Sequence, residues 1–387
     1  MPVKRVDKTP MPERDAVLRS HDFGEVNEGY GIAHAQFEAE RCLRCQDPIC
    51  IDGCPVRVPI PDFVHKVAAG DMRGAAEVLR SSNPLPAVCG RVCPQEVQCE
   101  EQCSVGIRFK PVAIGYLERF VADWEMEQPA TEIQTNLHRS EKVAIIGSGP
   151  AGLVCAGELA RLGYPVTIFE ALHAPGGVLR YGIPEFRLPK DVLDWEIEQL
   201  KKLGVEIVCN VIIGKTITMD ELMGEMGFKA VFIGTGAGLP SFMGIPGENL
   251  NGVYSANEFL TRVNLMRAND FPNADTPVMV GRRVAVIGAG NTAMDTVRVA
   301  LRVGAEQGLV VYRRSVQEMT ARVEEHAHAI EEGVEFHWLT NPVEVLGDED
   351  GWVTGLKCIK MELGEPDDSG RARPVHIEGS EFVIPVD

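Results

Sequence analysis

The spacing of apolar residues changes near residue 140. Up to about residue 135 they recur at helical intervals, most plainly over 61–79 and 111–127, and no alternating strand pattern stands out. The polar stretch 127–140 contains Pro129 and reads as a linker. After it come short β-branched runs at 142–146, 165–169, 230–233, 284–287 and 309–312, with helical stretches at 153–162 and up to about Val303. A last strand-like run covers 378–387, after the turn-rich segment 364–373. The pattern predicts a helical domain over 1–140, an α/β domain over 141–275 and a second over 276–375. Residues 376–387 are expected to return to the first α/β domain.

Two of these runs end in the longer glycine turn that opens a helix. The first strand meets Gly147-Ser-Gly149-Pro150-Ala151-Gly152 and then a helix, and the next strand ends at Glu170, 23 residues after Gly147. In such a turn the first glycine permits a tight bend, the second lets a pyrophosphate approach the backbone, and the third lets helix and strand pack closely. The helix N-terminus supplies free N–H groups for the phosphates, and an acid about 20 residues on accepts from ribose hydroxyls. The pattern returns as Gly288-Ala-Gly290-Asn291-Thr292-Ala293, but its following strand runs into Arg313-Arg314-Ser315 with no acid at the reading position. Glu170 therefore suits the unphosphorylated adenosine of FAD, and the arginine pair suits the 2′-phosphate of NADP through charge-assisted bonds. Two copies in strand–turn–helix–strand context predict two Rossmann-like dinucleotide-binding domains. The irregular loop 174–190, rich in Gly and Pro, offers Gly177, Leu179, Gly182, Ile183 and Arg187 to a flat ligand, and the turn Gly234-Thr235-Gly236 offers close backbone approach.

The 387 residues suffice for two or three domains, and 45% hydrophobic with 24% charged residues is ordinary for a globular protein. A formal net charge of -18 opposes nucleic-acid binding. The opening residues show no apolar leader, and no long uncharged apolar run occurs, so a cytoplasmic protein without a membrane segment is expected.

The eleven cysteines add the chemistry. Eight fall in two blocks of four: Cys42, Cys45, Cys50 and Cys54, closed by Pro55, then Cys89, Cys93, Cys99 and Cys103. In a chain without a secretory signal, such clusters point to metal rather than disulfides. A Cys-Pro closing a run of short spacings resembles the bacterial ferredoxin run, in which the fourth thiolate crosses to the other cluster. Two interleaved [4Fe-4S] clusters are expected; structural zinc is the competing reading, but only Cys42 and Cys45 have the Cys-x2-Cys spacing of a zinc knuckle. Cys155, Cys209 and Cys358 stand in apolar surroundings and read as small core residues.

Taken together, these motifs resemble the small, NADPH-oxidising subunit of glutamate synthase and its relatives over essentially the whole chain. The most specific pieces are Cys42-x2-Cys45, Leu85-Pro-Ala-Val-Cys-Gly-Arg-Val-Cys-Pro94, Pro111-Val-Ala-Ile-Gly115, the first glycine turn, Tyr181-Gly-Ile-Pro184, Arg187-Leu-Pro-Lys190 and Val311-Tyr-Arg-Arg-Ser315. The resemblance implies that the NADPH domain is inserted in the FAD domain. It also implies that Cys42, Cys45, Cys50 and Cys103 hold one cluster while Cys54, Cys93, Cys99 and Glu118 hold the other, leaving Cys89 a non-ligand. Spacing alone does not choose between Cys89 and Glu118. Thr320 stands where relatives often have proline.

The family continues past Asp387 with a strand and a Gly-Asp motif that closes the flavin site. The resemblance therefore implies that this chain alone leaves its FAD domain open, and an iron-sulfur scaffold without flavin turnover is the reading from another class. The leading expectation is hydride transfer from NADPH to FAD, which converts a two-electron donor into single-electron steps through the clusters, with no acid–base residue required. The expected partner in a hetero-oligomer is a glutamate synthase large subunit. The runner-up is a ferredoxin-linked or electron-bifurcating transhydrogenase with a second flavoprotein subunit.

Overall fold

The structure is a computed structural model and describes residues 7–129, 138–368 and 370–387. Most of the expected linker lies outside the described residues. The chain divides into two compact units. The first is Met1–Glu13, Glu25–Arg180 and Phe186–Ala237; the second is Arg14–Gly24, Tyr181–Glu185 and Gly238–Asp387.

The N-terminal part of the first unit is helical among its described residues. The pattern read as one helix over 61–79 is two, Ile60–Ala69 and Met72–Arg80. Gly70, in the left-handed region at φ 80°, ends the first, and Asp71 caps the second by accepting from the Gly74 N–H at 2.9 Å. The apolar period carries across this break because both helices bury the same face, with Phe63, Val64, Val67 and Leu79 beside Leu117 and Val121 of helix Ile114–Met126.

The α/β part of the first unit holds β1 (Val143–Ile146), β2 (Val166–Phe169), β3 (Glu206–Val208) and β4 (Ala230–Ile233). All pair in parallel in the order β3-β2-β1-β4, with helix Pro150–Arg161 crossing from β1 to β2. The first glycine turn leaves the sheet at the end of β1, where the Gly147 N–H still bonds the Phe169 carbonyl at 2.8 Å.

The second unit repeats the motif with β5 (Arg283–Ile287), β6 (Gln307–Val311) and β7 (Glu335–His337), again parallel, in the order β5-β6-β7. It adds an antiparallel layer in which β9 (Val353–Pro366) pairs with β8 (Thr340–Gly347), β10 (Ala372–His376) and β11 (Phe382–Ile384). The expected return of 376–387 to the first α/β domain is not what the described residues do. Phe382–Ile384 continue the ladder opposite Leu356–Cys358, and Ile384 and Val386 are buried with Leu309 and Val311. Residues 238–275, expected with the first α/β domain, also lie in the second unit, because Ile245, Leu250 and Val253 pack into that same core. So do Arg14–Gly24: Arg19 is buried, bonding Glu332 at 3.2 Å, and Arg302 donates to the carbonyls of Arg19 and Asp22. No described helix is long and apolar enough to cross a membrane.

Candidate functional site

Backbone geometry around the cysteines gathers their side chains. Arg44, between Cys42 and Cys45, takes a left-handed φ of 53°; Cys50 sits on the short helix Ile49–Asp52, and Cys93 ends helix Pro86–Val92. That helix presses on helix Ile114–Met126, since a Cβ on Gly90 would come within 2.5 Å of the Arg119 backbone nitrogen. The close crossing brings Glu118 beside Cys89 and Cys99.

The side chains fall into two electrostatic groups. Burial raises the Cys50 thiol to about 12, with the charges of Cys103, Cys42 and Cys45 adding to the shift. Cys42 is raised the same way, by burial first and then Cys103 and Cys45, against some opposition from Arg44. Cys99 is raised by burial and then by Glu100, Glu118, Cys93 and Cys54. Burial also lifts Glu118 to about 7, although Asn83 donates to its Oε1 at 2.8 Å. Buried thiols that repel one another become thiolates only around a cation, and a set rich in thiolates suits iron. Cys89 is half-buried near Glu118, and its Sγ lies 3.8 Å from Asn83 Oδ1. Cys358 is fully buried, as a small core residue would be, whereas Cys155 and Cys209 are only half-buried.

At the first turn Gly147 has φ 100°, and a Cβ there would meet the Gly234 carbonyl at 2.4 Å. A Cβ on Gly152 would lie 2.0 Å from Gly147 O, whereas one on Gly149 meets nothing within 4 Å. The turn is thus closed toward the protein and open on the side a phosphate would use. Pro150 and Ala151 begin the helix, and its first-turn N–H groups have no side-chain cap. Glu170 is buried and accepts from the Ser148 N–H at 2.9 Å, from the Ser148 hydroxyl and from the Leu172 N–H at 2.8 Å. Ser148, which sequence reasoning passed over, thus fixes the acid, and its Oγ also accepts from Gly176 N–H at 3.0 Å. Gly177 lies against Gly149, and Leu179 and Arg187 are buried. In the second unit Gly182 is buried and Ile183 half-buried. Gly234 N–H bonds Ile146 O at 2.8 Å, fixing the Gly234-Thr235-Gly236 turn at the end of β1. The first-unit groups fit a dinucleotide such as FAD.

The second turn is roomier. A Cβ on Gly288 would have Ala293 as its nearest neighbour, at 4.0 Å. Gly290 precedes helix Asn291–Arg302 without a side-chain cap, which leaves the Thr292 N–H for an anion, while the Ala293 N–H bonds the Gly290 carbonyl at 3.0 Å. Asn291 Oδ1 accepts from the Arg322 N–H at 2.9 Å, so this side chain serves the fold. Thr320 donates its N–H to the Ala289 carbonyl at 3.2 Å, a bond that the proline of relatives could not make. The arginine pair divides. Arg313 is exposed, but Arg314 is buried, with Nη2 on Asp367 at 2.6 Å and Nε on the Ala372 carbonyl at 2.9 Å. Of the two guanidiniums expected at a 2′-phosphate, Arg314 is thus engaged by the β9–β10 hairpin, and Arg313 is the exposed one.

Comparison with known proteins follows this division. Residues 19–130 match the family model described as dihydropyrimidine dehydrogenase domain II, 4Fe-4S cluster, and residues 141–369 match pyridine nucleotide-disulphide oxidoreductase. The whole chain is 39% identical to the glutamate synthase [NADPH] small chain of Halomonas elongata, covering 80% of it. The chain belongs to the glutamate synthase small-chain family. The Escherichia coli small chain is 37% identical over the whole chain, which covers 81% of that protein. The NADP(+)-dependent formate dehydrogenase subunit beta of Moorella thermoacetica is 42% identical over 87% of the chain and 49% of its own length. Among solved structures, Mycobacterium tuberculosis FprA in complex with NADPH aligns with a TM-score of 0.53 at 22% identity, over 64% of this chain and 69% of that one, and shares the fold. This small-chain family member is thus an oxidoreductase of the pyridine-nucleotide type with an iron-sulfur domain.

Proposed function

We propose that the chain oxidises NADPH and delivers its electrons, through FAD and two [4Fe-4S] clusters, to the large subunit of a glutamate synthase. The observation that carries this reading is the gathering of Cys42, Cys45, Cys50 and Cys103 apart from Cys54, Cys89, Cys93, Cys99 and Glu118, in a chain with two differently read glycine turns. The first group supplies the four ligands of one cluster, and Cys54, Cys93, Cys99 and Glu118 of the second supply those of the other, with Cys89 a non-ligand. Bound FAD supplies the conversion from a two-electron donor to one-electron acceptors. The protein groups do the holding. The first turn and Glu170 bind FAD by its pyrophosphate and ribose, and the second turn with Arg313 binds the phosphates of NADPH. Exposed Ile49, Val56, Val97 and Ile107 lie on the cysteine loops and give a partner an apolar seat beside the clusters.

The test is to purify the chain with iron and flavin quantified, then follow flavin bleaching and cluster EPR signals on adding NADPH. Bleaching together with reduction of two clusters is expected; stoichiometric iron with no response to NADPH overturns the reading. The 42% identity to a formate dehydrogenase subunit favours a second partner class. Co-purification with an amidotransferase-type large subunit supports the first assignment, and recovery with a formate dehydrogenase subunit the second.

A further inference from the structure

We propose that Asn83 is a positioning residue that orients Glu118 as the oxygen ligand of the second cluster and sets that cluster's potential. The inference rests on the ligand reading of Glu118. Asn83 is 3% exposed, and its two amide ends have different partners. Oδ1 accepts from the Leu85 N–H at 3.0 Å, and Nδ2 faces Glu118 Oε1 at 2.8 Å. A backbone N–H can only donate, so the Leu85 contact fixes which end is the carbonyl, and the end facing Glu118 must be the donor. That bond holds one carboxylate oxygen and leaves Oε2 without a hydrogen bond among the described residues.

The turn carrying Asn83 is braced from the α/β side. Glu196, on helix Lys190–Lys202, is fully buried; its Oε1 accepts from the Ala87 N–H at 2.8 Å and its Oε2 from Arg80 Nη1 at 2.8 Å. Arg80 Nη1 also donates to the Pro84 carbonyl at 2.7 Å, and a Cβ on Gly157 would lie 3.2 Å from Pro84. Residues 83–87 are therefore held on both sides, and Asn83 has little freedom to turn away. A buried charge pair of this kind is costly to disturb, which makes the turn a rigid support. A metal ligand's outer partner orients it and tunes the metal, and cluster potentials respond to charge and hydrogen bonding at the ligands. A donor on Glu118 withdraws charge from it and favours the reduced cluster.

The test is an EPR-monitored redox titration of the full chain with iron quantified, for the parent protein, Asn83→Asp, Asn83→Leu and Glu118→Ala. Asn83→Asp keeps an acceptor for Leu85 and loses the donor; Asn83→Leu keeps the shape and loses both. Both are expected to lower the midpoint potential of the one cluster whose signal Glu118→Ala alters, Asp further than Leu because it adds charge, with the other cluster unmoved. Unchanged potentials at full iron overturn the inference. So does loss of both clusters in both variants, since a residue that positions one ligand leaves the other four-cysteine site loaded. If Glu118→Ala changes neither signal, the ligand reading itself fails; if it changes one while the Asn83 variants change nothing, only the present inference falls.

Discussion

The two glycine turns have the same strand–turn–helix skeleton and are held in place by different physics. After the first, helix Pro150–Arg161 buries Gly152, Leu153, Ala156, Gly157 and Ala160, and the turn is packed backbone against backbone. After the second, helix Asn291–Arg302 buries Arg298, which bonds Glu325 at 2.5 Å and Glu332 at 2.7 Å, while Arg302 bonds Glu332 at 2.7 Å. The residues proposed to read the nucleotides follow suit: buried Glu170 at the first, exposed Arg313 at the second. The same fold thus tolerates a turn fixed by contact and a turn fixed by charge, and the two should fail under different insults.

The largest difference is expected at Gly152. Gly152→Ala would place a methyl group 2.0 Å from Gly147 O, a backbone atom that cannot yield without opening the turn. Overpacking of this sort costs about 1–3 kcal/mol or more, and here it falls on the ligand site. Near-complete loss of bound flavin with retained iron is expected, read from the visible spectrum and an iron assay. Flavin content within twofold of the parent protein would show that the first turn is not closed by contact.

Next is Arg313→Gln. Charge-assisted bonds to phosphate contribute about 1.5–3 kcal/mol, so KM for NADPH should rise roughly 10–100-fold while KM for NADH barely moves. Arg314→Gln should do the opposite, lowering Tm through loss of the buried Asp367 partner with a smaller change in KM. An equal KM effect from both would restore the two-arginine reading and erase the division of the pair.

Acid should also separate the turns. Burial pushes Glu332 up, but bonds from Arg298 and Arg302 overcome it and hold the carboxyl at about 2, below its usual 4.5. A depressed carboxylate stabilises the fold above its unfolded pKa and loses that contribution as pH falls. Between about pH 4.5 and 2 the second unit should lose up to about 3 kcal/mol. Denaturant midpoints across that range, with Glu332→Gln as reference, measure it; a Glu332→Gln protein with the same acid slope would remove the charge anchor from the account.

These anchors explain what could be read from the sequence. Both turns, Glu170 and the flanking strands were legible because each is a local pattern within about 25 residues, with spacing dictated by the ligand. The pairing of Arg314 with Asp367, 53 residues on, was not, because nothing local distinguishes a surface guanidinium from a buried one. The strand at 382–384 was legible as a strand but not as a partner of β9, since strand pairing across a sheet leaves no trace in period. Asn83 and Glu196 were missed for the same reason: their partners are Glu118, Arg80 and Ala87, on other elements. The two blocks of cysteines pointed to metal by composition, while Glu118, a carboxylate inside an apolar helix period, entered as a candidate ligand only through the resemblance.

The smallest expected effect tests the contrast from the other side. Ala293 occupies the place that Gly152 has in the first turn, and its methyl group is accommodated, 6% exposed, beside Met294 and Val297. Ala293→Gly should therefore open no room that the turn needs. It should cost about 1 kcal/mol or less, from backbone entropy and a lost buried methyl group, and shift nucleotide affinity by under twofold. Tm and NADPH titration of the flavin measure both. A several-fold gain in affinity would mean that the alanine compromises the phosphate approach, so that the second turn, like the first, is limited by contact; an unchanged affinity leaves charge, at Arg313 and under the helix at Arg298, as what holds and reads it.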